Sequence, residues 1–137
     1  MADYGTIKTA IADKLAESAH LVIAYGDVPE NIVTPCAVVF PSSTPVEYGD
    51  AMSRGLQLMS FDVSLFVQRF DMLQNLVKLD PLIYGDDSIE KLFADDPTLS
   101  GAVQFAQIVR VTSIGNVAWG DDLYIGCELE LEVMVQP

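Results

Sequence analysis

The chain has 137 residues, half of them hydrophobic and a fifth charged, which places it among single-domain globular proteins and outside the disordered class. Seven Lys and Arg face 20 Asp and Glu, a formal charge of −13, so tight binding to nucleic acid or to anionic lipid is disfavoured, while DNA passing nearby without sticking is not. No apolar run approaches the ~20 residues of a membrane-spanning helix, and the first residues, MADYGTIKTAIADK, lack the apolar core of a signal peptide.

The first predicted element is an amphipathic helix. Ile7, Ile11 and Leu15 repeat at i, i+4 and i+8, with Asp3 or Thr6 as caps and an end near Ser18–His20. Its apolar stripe is narrow, as suits a helix lying on a sheet. A short strand, Leu21–Tyr25, comes next, then a turn over residues 26–31. Pro35 and Pro41 bracket a second strand and mark its ends, because proline cannot donate to a ladder. Residues 41–55, rich in Ser, Pro and Gly, show no core pattern and read as a projecting loop or loose hairpin. Val46, Tyr48, Met52 and Arg54 are its candidate subunit or partner contacts.

The third strand is the clearest element. Met59, Phe61, Val63, Leu65 and Val67 alternate with Ser60, Asp62, Ser64, Phe66 and Gln68, so one face is buried and the other mostly polar. Asp71 and Gln74 have capping-box spacing at the head of a helix that Pro81 should kink or end. Asp87 and Glu90 repeat that spacing before a short helix closed by Asp95-Asp96-Pro97. Two closing strands follow. Val103, Phe105, Val109 and Val111 supply the apolar face of the first, although Gln107 and Ile108 blur its period. A turn region spans residues 115–122, and Cys127, Leu129, Leu131, Val133 and Val135 form the apolar face of the last strand. A short connection requires these two strands to pair antiparallel.

This order predicts one α+β domain over residues 1–137. It has two layers: a mostly antiparallel β-sheet, with an N-terminal helix and a central helix pair packed on one face.

Catalytic constellations are not found. His20 is the only histidine and stands at a helix end, where a cap or surface role is the ordinary one. No serine sits in a G-x-S-x-G elbow, and Cys36 and Cys127 lie in apolar strands as free thiols without a partner base. The pairs Asp86-Asp87, Asp95-Asp96 and Asp121-Asp122 read as turn and cap chemistry, lacking the spaced ligands of a calcium loop. No catalytic residue, metal or cofactor is therefore expected. The feature that stands out is the ladder Glu128, Glu130 and Glu132, three like charges ~7 Å apart on one face of a strand. Arg110 on the adjacent strand is placed to relieve it. Such a ladder is either a solvated outer face or the lining of an aqueous channel.

In its order of segments the chain resembles the tail terminator proteins of long-tailed bacteriophages. The resemblance runs from TIKTAIADKLAE through TPCAVVFP and DDSIEKLFADDPTLSG to ELELEVMV, nearly the whole length. It implies a non-enzymatic virion protein at the head-proximal end of the tail, assembled in the host cytoplasm. The implied assembly is a homo-oligomeric ring, of six subunits, that caps the tail tube. Its implied partners are the tail tube protein and the head–tail connector or head-closure protein. DNA passes through the open centre without specific binding, and no membrane is involved. On this reading Glu128, Glu130 and Glu132 line the lumen. The alternatives are a neck connector or head-closure protein of the same particle, and a small cytosolic ligand-binding domain.

Overall fold

A computed structural model describes residues 4–18, 20–27, 29–33, 35–47, 57–68, 80–86, 88–119 and 122–135. Helix α1 (Tyr4–Leu15) leads into strands β1 (Ile23–Tyr25), β2 (Cys36–Glu47) and β3 (Gln57–Gln68). Helix α2 (Ile89–Asp95) and strands β4 (Phe105–Trp119) and β5 (Asp122–Val135) follow. The sheet order is β1-β2-β3-β5-β4, with β1 parallel to β2 and every other pair antiparallel. The architecture is the expected α+β one.

The period-two patterns decide which face is buried. Met59, Phe61, Val63, Leu65 and Val67 of β3 and Cys127, Leu129, Leu131, Val133 and Val135 of β5 all turn inward. Against them pack Ile7, Ile11 and Leu15 of α1, Leu82 of a helical stretch at 80–83, and Ile89 and Phe93 of α2. Each such side chain fully removed from water contributes roughly 1.5–3 kcal/mol, so this one layer contact supplies most of the driving force. The helices thus lie on a single face. The expected helix over 71–79 lies outside the described residues.

Two strand boundaries differ from expectation. Pro41 does not end β2; it sits in the ladder opposite Phe61, and the strand resumes at Val46 opposite Met59 after a register shift. The proline is tolerated because β1 pairs with β2 only at Cys36, Ala37 and Val38, and among the described residues no strand pairs with that edge of β2 beyond that point. Val46 is partly buried and packs against the core, while Tyr48, Met52 and Arg54 lie outside the described residues. Likewise, Gly115 and Asn116 do not open a turn: β4 runs on to Trp119.

The phase of β4 also differs. Ala106, not Phe105, faces the core; Phe105 is 43% exposed. A register shift between Ile108 and Arg110 inserts Val109 as an extra residue, and Val111 returns to the core side. The blurred period at residues 107–108 is the trace of that bulge. A second shift, between Thr112 and Gly115, carries Ser113 at φ 59°, in the left-handed region.

The cap of α2 is Ser88, whose Oγ accepts from Lys91 N at 3.2 Å; this is one residue later than the Asp87 expected. Asp96 closes the helix and does more. Its carboxylate accepts from Ser100 N at 3.1 Å and Ser100 Oγ at 3.3 Å, bracing a turn in which Leu99, Ser100 and Gly101 all have positive φ. It also receives Lys14 Nζ at 2.8 Å, with Glu17 on the same ammonium at 3.0 Å. Lys14 is buried, and the Asp96 hydrogen bond is the main cause that raises its pKa against the opposing effect of burial. The same bond, followed by that from Ser100 N, holds the Asp96 carboxyl below the ordinary carboxylate range.

A depressed carboxyl pKa stabilises the fold above the unfolded value, ~3.9, and that contribution is lost as pH falls through the lower folded value. Asp96→Asn is therefore expected to lower the urea midpoint at pH 5–7, with the gap to the wild type closing below about pH 4. Urea titrations across that range check it; a gap that persists unchanged at pH 2 would contradict the assignment.

Candidate functional site

The face of the sheet turned away from the helices carries the acidic ladder. Alternation along β5 puts Glu128, Glu130 and Glu132 there, and the register aligns their neighbours into rows. Asp62 of β3 lies beside Glu130, Ser64 beside Glu128, and Ser60 beside Glu132. On the far side Arg110, Thr112 and Gln107 of β4 take the corresponding places. Glu128 is exposed, while Asp62, Glu130 and Glu132 are half-buried.

Among the described residues, compensation is confined to one rung. Arg110 Nε lies 3.1 Å from Glu130 Oε2, the contact expected from the strand pairing. Both side chains are well exposed, so this pair contributes no more than about 0–1 kcal/mol. Among the described residues no cation pairs with Asp62, Glu128 or Glu132. Burial, then the adjacent Glu130, raises the Asp62 carboxyl above its ordinary pKa. A raised carboxyl pKa means that its charge costs folding energy at neutral pH, a cost relieved as pH falls through the folded value toward the unfolded one.

At one end the acidic face gives way to aromatic residues. Phe66 is buried beside Cys36 and Val38, with Tyr25, Phe40, Trp119 and Tyr124 packed around them. The Trp119 ring meets Phe66 edge-on at 5.4 Å and Phe40 at 6.2 Å. Its Nε1 donates to the carbonyl of Glu30 at 3.3 Å, which fixes the indole. Asp62 and this cluster were not singled out from sequence. The available signal was Phe66, an aromatic at a polar-parity position of an otherwise regular strand. Trp119 gave none, because it fell in a stretch read as turn.

The far edge of the sheet is β4, which has no strand beyond it among the described residues. It runs 15 residues with Arg110 as its only charged side chain, and it exposes Phe105, Val109 and Ile114. Long apolar edges are templates for association unless they are covered.

The remaining sequence candidates have structural places. His20 follows α1, its N–H donating to Ser18 Oγ at 3.3 Å. Asp95 pairs with Lys91. Burial pushes the Cys36 thiol up to about 11 and, with Glu128 adding, the Cys127 thiol up to about 12, so neither is a thiolate nucleophile at neutral pH. Among the described residues no cluster of three or more His, Cys, Asp or Glu is placed to hold a metal ion, and no helix is long and apolar enough to cross a membrane.

No family model matches the sequence, and comparison with curated proteins finds no match.

Proposed function

We propose that the chain is a ring-forming structural subunit of a bacteriophage tail, the terminator that caps the tail tube and meets the head–tail connector. The observation that carries this reading is the sheet face turned away from the helices, where among the described residues four carboxylates on two neighbouring strands stand against one arginine. A lone subunit gains nothing from holding Asp62 at a cost beside Glu130. A ring that turns this face toward its centre gains a surface that repels the phosphate backbone and lets DNA slide through. The free edge of β4 supports the second requirement, a lateral contact between copies. The resemblance in segment order supports the third, a place at the head-proximal end of the tail beside the tube protein.

The edge provides the test. In the wild type, light scattering at high concentration is expected to give about six times the 14.9 kDa subunit mass. The double variant Val109→Lys/Ile114→Lys is expected to remain folded by circular dichroism and to lose that species, since charge on an edge blocks pairing. Assembly that needs the tail tube as a template would leave the free chain monomeric, so the deciding measurement is on virions of the phage that encodes it. Imaging and quantitative mass spectrometry should find six copies at the head-proximal tail end. Virions lacking the chain would end the proposal.

A further inference from the structure

We infer that the pocket between the aromatic cluster and the acidic ladder binds an arginine side chain of a basic segment of a partner protein. The pocket has a volume of about 270 Å³ and is lined by Phe40, Phe66, Trp119, Asp62, Ser64 and Glu128. That is below the ~300–1,000 Å³ of ordinary small-molecule sites and is of the scale of one long side chain. Its walls supply the two things a guanidinium takes: aromatic faces for cation–π contact and carboxylates for charge-assisted hydrogen bonds. The indole is held in place before any ligand arrives, by Glu30 and by the edge contact with Phe66. A planar, weakly hydrated guanidinium suits such a slot better than an ammonium.

Two independent observations point to a missing polar partner. Ser64 is only 8% exposed and lines the pocket, and among the described residues its hydroxyl has no hydrogen-bond partner, although its backbone is paired in the sheet. Asp62 and Glu128 have no cation there either. The cations the described residues offer are already engaged: Lys8 with Asp27, Lys14 with Asp96 and Glu17, Lys91 with Asp95, and Arg110 with Glu130. Arg54, Arg69 and Lys78 lie outside the described residues, and with 20 acidic side chains against seven basic ones the chain as a whole is short of cations, so a basic partner complements this face. Beyond the pocket the negative charge continues along the face through Glu130 and Glu132. An extended peptide with basic residues at alternate positions matches it, since those side chains project to one side. The proposal concerns the same face as the ring reading but does not require a ring.

Trp119 is the only tryptophan of the chain, so its emission reports occupancy directly. The full chain is titrated at low ionic strength with the peptide Ac-GRGRG-NH2, its lysine and glutamine analogues, and spermidine. A saturable change in emission with the arginine peptide is expected, weaker with lysine and absent with glutamine. Asp62→Asn and Glu128→Gln should each weaken binding about tenfold, whereas Glu90→Gln on α2, away from the pocket, should leave it unchanged. Glu128 is exposed, so its variant keeps the test open if Asp62→Asn disturbs the fold. No saturable response, an equal loss in Glu90→Gln, or spermidine binding as tightly as the peptide would each overturn the proposal.

Discussion

Phe61→Ala is expected to lower the unfolding free energy by about 3–5 kcal/mol, a large share of the roughly 5–15 kcal/mol available to a domain of this kind. Phe61 is fully buried at the middle of β3, the strand flanked by β2 on one side and β5 on the other. Its ring stacks on Tyr4 of α1 at 5.2 Å, so the deletion opens a void where the helix layer meets the sheet. The neighbours cannot collapse into that void easily, because strand ladders on both sides hold the backbone. Phe61→Leu, which keeps most of the volume, should cost clearly less. Urea or thermal melts of the two variants check the order. Equal and small losses would mean that the layers can slide together.

Replacing Glu128, Glu130 and Glu132 together by lysine is expected to convert a chain that leaves DNA alone into one that retards it. Three such changes remove three negative charges and add three positive ones, moving the formal net charge by six, from −13 to −7. The total stays negative, so any new affinity reports a local patch rather than the overall field. The new lysines would form one row on one face, beside Arg110. Gel retardation of duplex DNA should appear at low salt and vanish steeply as salt rises, the signature of counterion release. If the ladder lines a tail lumen as proposed, the same change should trap or slow the genome on its way through and cut infectivity by orders of magnitude. Retardation in vitro combined with normal infectivity would show the ladder to be an outer surface, away from the path of the DNA.

How much of this was legible beforehand depended on whether a residue's role is local. The inward faces of β3 and β5 could be read directly, because a two-residue period survives whatever the neighbours do. The ladder and its relief by Arg110 followed from the same period plus a short connection. The phase of β4 was not legible: a bulge at Val109 shifts alternation by one residue, and composition does not announce it. The aromatic pocket was hidden for another reason. Phe40, Phe66 and Trp119 come from three strands separated by long stretches of sequence, and only the sheet order brings them together. Pro41 does not mark a strand end because proline interrupts a strand only where its missing N–H would have paired, and sequence does not show that β1 stops pairing with β2 at Val38.

The sheet order has a consequence for biosynthesis. β3 and β5 are neighbours along their whole length, yet residues as close in space as Asp62 and Glu130 are 68 positions apart in the chain. Before β5 emerges from the ribosome, β3 presents an open hydrogen-bonding edge to its surroundings, and the helix layer has only part of its floor. Nascent molecules therefore stay adhesive until synthesis of β5 is complete, and closure is slowed by the long loop that must first be drawn in. Translation speed through residues 69–121, and holdase chaperones acting in that interval, become determinants of how much usable subunit a cell yields.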